Sequence, residues 1–425
     1  MDYFKSLYSA HPIDRRLWLL SSVIGFICLI YLLSEAYYII RLTAIHKNDM
    51  SLYYRTATRI MEGQIPFKDF RLEYPVFAIF PIIIPAIINL LFGSSFESYC
   101  ILFCLQNIIF GIVAAGFLAK ISITESNTIA RQPVYWLLII FSLPIYLFRY
   151  DPFLAILTMM VVYAMITRPY LAGVVLMLAI EAKLYPIIFL PILVLFYLVN
   201  KDYHKMTAFF VGSVVTLLFT LLIVLPLTGI SFFDFLAYHQ QRGIQLESIV
   251  AGLLLLLNQF DLVDLRLTNS FGSFNIDTES SPMILKTIGV ITPIVFILLI
   301  SFLGRTFMSE KRMYGSIRAI TLIRALGAIT LVFLLLNKVM SPQYVIWLFP
   351  FIPFYENPIR IKFIIVVMLT ISIYPGWYHY LQNFHPVMII MVNLRTILII
   401  WMLVDLLKSV VSAKNHITPK PIGDL

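Results

Sequence analysis

The sequence predicts an all-α fold, a polytopic bundle of membrane-spanning helices. Hydrophobic residues make up 60% of the 425 residues, charged residues make up 12%, and the mean hydropathy is +0.91. Soluble domains are roughly half apolar and a quarter charged. The apolar residues here fall in blocks of roughly 20, the length of a helix that crosses the bilayer core. We therefore expect a single membrane domain over residues 1–425.

About twelve apolar blocks predict the spanning helices. The first of these blocks, 17–40, is too long for the core of a signal peptide and has no small-residue cleavage site after it. We therefore expect it to remain in the protein as a helix. The predicted spans are 17–40, 97–120, 133–149, 152–167, 169–184, 186–200, 206–226, 283–304, 319–337, 343–356, 361–378 and 386–407. Two further apolar blocks, 76–92 and 249–263, fit either a span or a helix at the interface.

Basic residues predict the orientation, because cytoplasmic loops retain an excess of Lys and Arg. With the N-terminus in the cytoplasm and both ambiguous blocks left out of the spans, most basic residues fall on the cytoplasmic side, including the tail 408–425. If 76–92 alone is counted as a span, or if both ambiguous blocks are, a whole group of basic residues falls outside. We therefore expect both termini to be cytoplasmic and both blocks to be interfacial or re-entrant helices on the outer face.

Basic residues that remain on the outer side of this topology are candidates for function. They fall in a first outer loop at 41–96, in a second at 227–282, and near the outer ends of other helices. The net charge of +9 thus serves mainly to fix topology, and secondarily indicates affinity for anionic lipid or phosphate. The exceptions are Arg41, Lys47, Arg55, Arg59, Lys68, Arg71, Arg149, Lys183, Arg242, Arg266, Lys286 and Lys338.

The first outer loop, HKNDMSLYYRTATRIMEGQIPFKDFRLEYP, predicts an amphipathic helix on the outer surface. Asp49 stands where that helix begins, and Gly63 ends it before a turn at Pro66. From its position alone, Asp49 is either a helix N-cap or a catalytic carboxylate. One face of the helix carries Tyr53, Ala57 and Ile60, and another carries Arg55, Arg59 and Glu62.

Four more polar clusters fall on the same outer side: YHQQRGIQLES (238–248), EAKLYP (181–186), NKVMSPQY (337–344) and RYDP (149–152). Each alone fits a solvated loop or turn. Together they indicate a cavity with one carboxylate and several cations, which suits a phosphate leaving group and a hydroxyl nucleophile that needs a base. Two arginines lie inside predicted spans, Arg324 and Arg395, and fit either a helix-to-helix hydrogen bond or the site.

These motifs resemble those of the GT-C superfamily of membrane glycosyltransferases, which use polyprenyl-phosphate sugars as donors. The matching pieces run in order: Asp49 after the first span, EGQIPF at 62–67, EYP at 73–75, EAKLYP, YHQQRGIQLES and KVMSPQYVIW. The sequence is most similar to bacterial polyprenol-phosphate-mannose-dependent α-mannosyltransferases of the phosphatidylinositol-mannoside type. It also resembles the catalytic subunit of the first GPI mannosyltransferase.

The resemblance implies a role for each candidate residue. Asp49 takes the position of the catalytic base, and the donor's lipid tail is expected near the apolar helix after Pro75. The residues implied to bind the donor phosphate and sugar are Lys183, His239, Arg242, Lys338, Gln343 and Tyr344. Further acceptor or donor contacts are Arg55, Arg59, Glu73, Tyr74, Asp151, Gln245 and Glu247.

The function that follows is transfer of a hexose, with mannose as first choice, to a lipid or glycan hydroxyl on the outer face of the inner membrane, with inversion. Some relatives carry a second acid two positions before the base, where this chain has Lys47, so we expect chemistry without a metal or cofactor. The expected partners are the donor, a glycolipid or glycan acceptor and membrane lipids, with no nucleic acid.

Two other classes fit parts of the pattern. A secondary transporter or flippase of lipid-linked saccharides would explain many spans and intramembrane arginines, but its polar residues would be expected near the midplane rather than at one face. An O-antigen polymerase or ligase would be expected to carry a large outer loop, which 227–282 resembles.

Overall fold

A computed structural model describes residues 39–123 and 131–412, together with the isolated residue 23. The predicted span at 17–40 and most of the tail 408–425 thus lie outside the described residues. Sixteen α-helices follow one another in the described chain. They are α1 (Ile39–Met61), α2 (Ile79–Asn89), α3 (Phe96–Ile123), α4 (Arg131–Phe141), α5 (Leu143–Tyr146), α6 (Asp151–Thr167), α7 (Pro169–Ala182), α8 (Leu190–Asn200), α9 (Tyr203–Thr228), α10 (Asp234–Gln241), α11 (Ile249–Asn258), α12 (Ser281–Tyr314), α13 (Ala319–Leu336), α14 (Asn357–Ile371), α15 (Tyr378–Gln382) and α16 (Pro386–Ser412).

The predicted helical membrane bundle is confirmed. Six stretches of the described chain are long and apolar enough to cross a bilayer: Phe96–Ile121, Tyr203–Gln241, Ser281–Tyr314, Ala319–Leu336, Asn357–Gly376 and Pro386–Val410. Shorter apolar helices such as α6 and α7 pack between them. The second stretch breaks at Gly229. Its first part, α9, is already about 39 Å long, which exceeds the roughly 30 Å hydrocarbon core, so residues 229–241 lie beyond that core.

Three apolar blocks differ from a simple span. Residues 343–356, predicted to cross the membrane, form two short buried 3₁₀ helices, Pro342–Leu348 and Ile352–Phe354. The sequence has prolines at 342, 350 and 353, and a proline inside an α-helix removes a backbone hydrogen bond and clashes with the preceding turn. The blocks 76–92 and 249–263 contain α2 and α11, each about half the length needed to span.

Residues 227–282, predicted as the second outer loop, contain a small antiparallel sheet that the sequence analysis did not predict. The strand order is β1 (Ile244–Gln245), β3 (Ser273–Asp277), β2 (Arg266–Ser270). Phe271 and Gly272 join β2 to β3 with φ angles of 53° and 64°. Positive φ at both central residues is the hairpin geometry that matches strand twist. We call this end of the bundle the sheet end. Helices α6, α12 and α16 begin there, and α7, α9, α13 and α14 end there.

Helices α7 and α9 pack backbone against backbone through two glycines. A Cβ atom on Gly173 would lie 1.9 Å from the carbonyl oxygen of Phe209, and one on Gly212 would lie 2.1 Å from that of Tyr170. The hydroxyl of Ser213 also donates to the carbonyl of Gly173 at 3.2 Å. Small residues allow this close approach, which provides the van der Waals attraction between membrane helices.

We expect Gly173→Ala to lower stability by about 1–3 kcal/mol, the usual cost of overpacking, because the clashing atom belongs to a backbone that cannot rotate away. Thermal unfolding of the purified protein in detergent measures the change. Gly116→Ala, in α3, is the matched control because nothing lies within 4 Å of a Cβ built there. Equal unfolding temperatures for the two variants would contradict the close packing of α7 on α9.

Candidate active site

Polar side chains converge at the sheet end, where helices begin or end. Asp49 comes from α1, residues 149–151 from the turn before α6, and Lys183 from the residue that follows α7. Lys338 follows α13, and His239 and Arg242 lie around the end of α10. Helix termini, together with the middle of α1, place side chains from distant parts of the sequence at one face of the bundle.

Asp49 forms an ion pair with Arg149. Its Oδ2 atom lies 2.6 Å from Nη1 of Arg149, and the arginine side chain is 5% exposed whereas the aspartate is 32% exposed. Arg149 also donates through Nη2 to the hydroxyl of Tyr374 at 3.2 Å. The N-cap interpretation of Asp49 is wrong, because α1 begins ten residues earlier, at Ile39. The carboxylate therefore does not cap the helix.

A second carboxylate, Asp151, is buried and held from two sides. Its Oδ1 atom accepts hydrogen bonds from Nζ of Lys183 at 2.7 Å and from Nε1 of Trp347 at 2.6 Å. Lys183 is in extended conformation after α7, with φ −162° and ψ 134°. Its ammonium also lies 4.9 Å from the ring centre of Tyr150 and 5.1 Å from that of Trp347, within the range of cation–π attraction.

Three stacked rings form one wall of this region. Trp347 lies between Tyr185, at 3.9 Å and 3° between ring planes, and Tyr344, at 3.9 Å and 21°. Gln343 is half-buried in the same 3₁₀ turn. Tyr74 packs edge-on against Tyr150 at 5.1 Å. Tyr344 and Tyr74 thus lie in the same region as Asp151, and the ring stack fixes the indole that contacts Asp151.

A second group of polar residues surrounds Glu73. Lys338 donates through Nζ to the carbonyl of Gln240 at 2.7 Å, and Arg242 donates through Nη2 to the hydroxyl of Ser273 at 3.1 Å. His239 lies within electrostatic reach of Arg242, Lys183 and Lys338 and bonds to the backbone of Glu73. The donor-binding residues predicted from separate motifs are therefore neighbours.

Burial and mutual charge shift the protonation of this second group. Burial, reinforced by the nearby cations, lowers the pKa of His239 to about 4, so the imidazole is neutral near pH 7. Burial and the charge of Arg242 also lower the pKa of Lys338. Burial raises the pKa of Glu73, against the effect of Arg242. The positive charge here resides on lysine and arginine, and His239 serves as a neutral hydrogen-bonding group.

Four predicted contact residues have other roles in the structure. Arg55 is exposed and donates to the carbonyl of Ser51 at 3.2 Å. Arg59 donates to Gln64 Oε1 at 2.6 Å and lies over the ring of Phe70, so it holds the turn after α1.

The other two belong to a buried structural network. The side-chain oxygen of Gln245 accepts hydrogen bonds from the backbone N–H groups of Met340 and Glu247, at 3.1 and 3.2 Å. Glu247 pairs with Arg395 at 2.9 Å. Arg324 pairs with Glu356 at the opposite end of the bundle. Both intramembrane arginines therefore have structural partners.

Sequence reasoning placed Arg149 among the outer basic residues with a candidate function but gave it no partner, and it did not single out Trp347. The RYDP cluster contained Arg149, but nothing in the sequence indicated that it pairs with Asp49, 100 residues earlier. Trp347 belongs to the KVMSPQYVIW motif. Its indole N–H in an apolar stretch could have indicated a polar partner, because a buried indole N–H usually needs an acceptor. Among the described residues, no group of three His, Cys, Asp or Glu side chains is positioned to hold a metal ion.

The fold and site together define a multi-pass membrane protein with an enzyme-like polar centre at one end of its helices. The chain belongs to the mannosyltransferase (PIG-M) family, whose model matches residues 149–411, more than half of the chain. It is thus a membrane glycosyltransferase of the GT-C type. No curated protein and no solved structure matches the chain. The family match begins at Arg149 and so includes Lys183, His239, Arg242 and Lys338 but neither Asp49 nor Glu73.

Proposed function

We propose that the protein transfers mannose from a polyprenyl-phosphate donor to a hydroxyl of a lipid or glycan acceptor, as in the phosphatidylinositol-mannoside type. The observation that carries the proposal is the Asp49 carboxylate, paired with Arg149, at the same end of the membrane bundle as Lys183, Arg242 and Lys338. A base activates the acceptor, and cations stabilise a phosphate leaving group. Family membership supports the mannosyl group.

The reaction is a single in-line displacement. Asp49 accepts the proton of the acceptor hydroxyl, whose oxygen forms a bond to the anomeric carbon. The bond from that carbon to the phosphate oxygen breaks, and polyprenyl phosphate leaves with the electron pair, so the configuration inverts. Lys183, Arg242 and Lys338 stabilise the phosphate, and His239 donates or accepts a hydrogen bond. The contact with Arg149 at 2.6 Å holds the Asp49 carboxylate in place at the sheet end.

The donor chain has a suitable place beside this centre. An apolar cavity of about 510 Å³ lies between α12, the start of α11 and the end of α13. Leu335 and Leu336, which line it, directly precede Asn337 and Lys338. We therefore assign the isoprenoid chain to this cavity rather than to the helix after Pro75. We further propose that the sheet end faces the outside of the inner membrane, with both termini in the cytoplasm.

Transfer of radiolabelled mannose by the purified protein tests the function. With polyprenyl-phosphate mannose and a membrane glycolipid extract as acceptor, we expect product. With GDP-mannose we expect none, and with polyprenyl-phosphate glucose at least tenfold less. EDTA should not change the rate, because the proposed mechanism needs no metal. Transfer from GDP-mannose but not from the lipid donor would contradict the proposal.

A further inference from the structure

Asp151 is buried more deeply than the proposed base. Its side chain is 1% exposed, whereas that of Asp49 is 32% exposed. Both hydrogen bonds of its carboxylate, from Lys183 and Trp347, end on Oδ1. The other oxygen, Oδ2, is buried and has no hydrogen-bond partner among the described residues. A buried acceptor without a partner lowers stability, so a stabilising role alone does not account for this carboxylate.

The ammonium group of Lys183 is held from several sides. Its Nζ atom donates to Oδ1 of Asp151 at 2.7 Å. The ring centres of Tyr150, Trp347 and Tyr344 lie 4.9, 5.1 and 5.4 Å from the same atom. An ammonium has three N–H donors, and only the one on Asp151 has an acceptor among the described residues. The other two are left for a bound phosphate, which the 15% exposed side chain can still reach.

Trp347 fixes the oxygen on which Lys183 depends. Its indole is held between the rings of Tyr185 and Tyr344, each at 3.9 Å. The indole N–H donates to Oδ1 of Asp151 at 2.6 Å, which is the same oxygen that accepts from Lys183. The ring stack therefore determines the position of Oδ1, and Oδ1 in turn determines the position of the ammonium.

We propose that Asp151 is a positioning residue that acts on the reaction through Lys183 and does not contact the sugar or the acceptor. The inference rests on the proposed function, in which Lys183 stabilises the leaving phosphate, and it replaces the direct contact that the resemblance implies for Asp151. A lysine side chain has a flexible four-carbon stem. A cation that is fixed before the reaction stabilises the developing charge without reorganisation.

A double-mutant cycle tests whether Asp151 acts through Lys183. The proteins are the wild type, Asp151→Asn, Lys183→Met and the double variant, each assayed with polyprenyl-phosphate mannose below its unfolding temperature. We expect Asp151→Asn to lower kcat/KM on the order of 10²-fold, the effect of misplacing a group by about 1 Å. Lys183→Met should lower it on the order of 10² to 10³-fold. The double variant should be no slower than Lys183→Met alone, because Asp151 then has no ammonium to position.

Trp347→Phe is a milder second test, which decides the matter if Asp151→Asn does not fold. It keeps an aromatic ring in the stack and both charges of the ion pair, but it removes the N–H that holds Oδ1. We expect kcat/KM to fall about tenfold, in line with the loss of one hydrogen bond to a charged group. In the Lys183→Met background, the same substitution should cause no further loss.

Glu181→Gln is the matched control. Glu181 is also a buried carboxylate, two residues before Lys183, but it accepts its hydrogen bond from Thr220 of α9. We expect wild-type kcat and KM.

Losses from Asp151→Asn and Lys183→Met that multiply in the double variant would overturn the proposal and assign Asp151 a direct contact with the substrate. Wild-type kcat/KM in Trp347→Phe would also overturn it. If the wild type uses no polyprenyl-phosphate mannose, the proposed function itself has failed, and the cycle separates that result from failure of the Asp151 assignment.

Discussion

Asp49→Asn is expected to lower kcat for mannosyl transfer by about 10² to 10⁴-fold, the usual contribution of a positioned general base. The amide keeps the shape of the side chain but cannot take the acceptor proton. Because the proposed donor contacts of Lys183, Arg242 and Lys338 are unchanged in the variant, the KM for the donor should change little. Initial rates over a range of donor concentrations separate the two parameters.

The same substitution removes the counter-ion of Arg149, which is almost fully buried, so stability must be measured as well. The double variant Asp49→Asn/Arg149→Gln removes both charges and should unfold at a higher temperature than Asp49→Asn alone while remaining inactive. Recovery of stability without recovery of rate identifies a chemical role for Asp49. Wild-type kcat in Asp49→Asn would show that another group accepts the proton.

Much of the fold could be predicted because apolar composition alone determines which segments enter the membrane. The predicted spans 152–167, 206–226 and 319–337 match Asp151–Thr167, Tyr203–Thr228 and Ala319–Leu336 to within a few residues. The prediction failed at 343–356, where hydropathy indicated a span but three prolines allow only 3₁₀ turns. The hairpin was missed because Phe271-Gly272 is not one of the common turn pairs, although Gly272 has the required positive φ.

The sequence indicated several of the polar residues that come together at the sheet end, but not their contacts. Lys183, Lys338 and Arg242 were found as basic residues where the topology rule disfavours them, and the structure brings them together. Their partners were not predictable. Asp49 with Arg149, and Asp151 with Trp347, are 100 and 196 residues apart. The packing of the helices, such as the glycine contact of α7 with α9, determines which helix ends lie next to each other. The hydropathy pattern does not specify this packing.

The pair formed by Arg395 and Glu247 carries the second large prediction. Arg395 lies in α16, and Glu247 lies between β1 and α11. Nη1 of the arginine is 2.9 Å from Oε2 of Glu247, and Nη2 donates to the backbone carbonyl of Glu247 at 2.8 Å. Both side chains are at most 1% exposed. The pair therefore joins the loop 227–282 to the long apolar helix α16.

Arg395→Met is expected to destabilise the protein by about 3–5 kcal/mol, because it leaves Glu247 buried without its counter-ion. The double variant Arg395→Met/Glu247→Leu should recover most of that loss, since apolar side chains often replace a buried ion pair at little cost. Unfolding in detergent, followed by temperature or denaturant, measures both. Lys205→Met is the matched control. It breaks the exposed pair with Asp202 and should cost less than about 1 kcal/mol.

Loss of this pair should also affect the candidate active site, because a short series of contacts connects the two. Two residues before Glu247, the backbone N–H of Gln245 donates to the carbonyl of Lys338 at 2.9 Å, and the Gln245 side chain accepts from Met340 at 3.1 Å. A loosened loop would therefore displace Lys338 from the position in which we propose that it binds the donor phosphate. We expect Arg395→Met to raise the KM for the lipid donor below its unfolding temperature. The double variant should restore KM together with stability. A variant that loses stability but keeps the wild-type KM would show that the pair supports the fold alone.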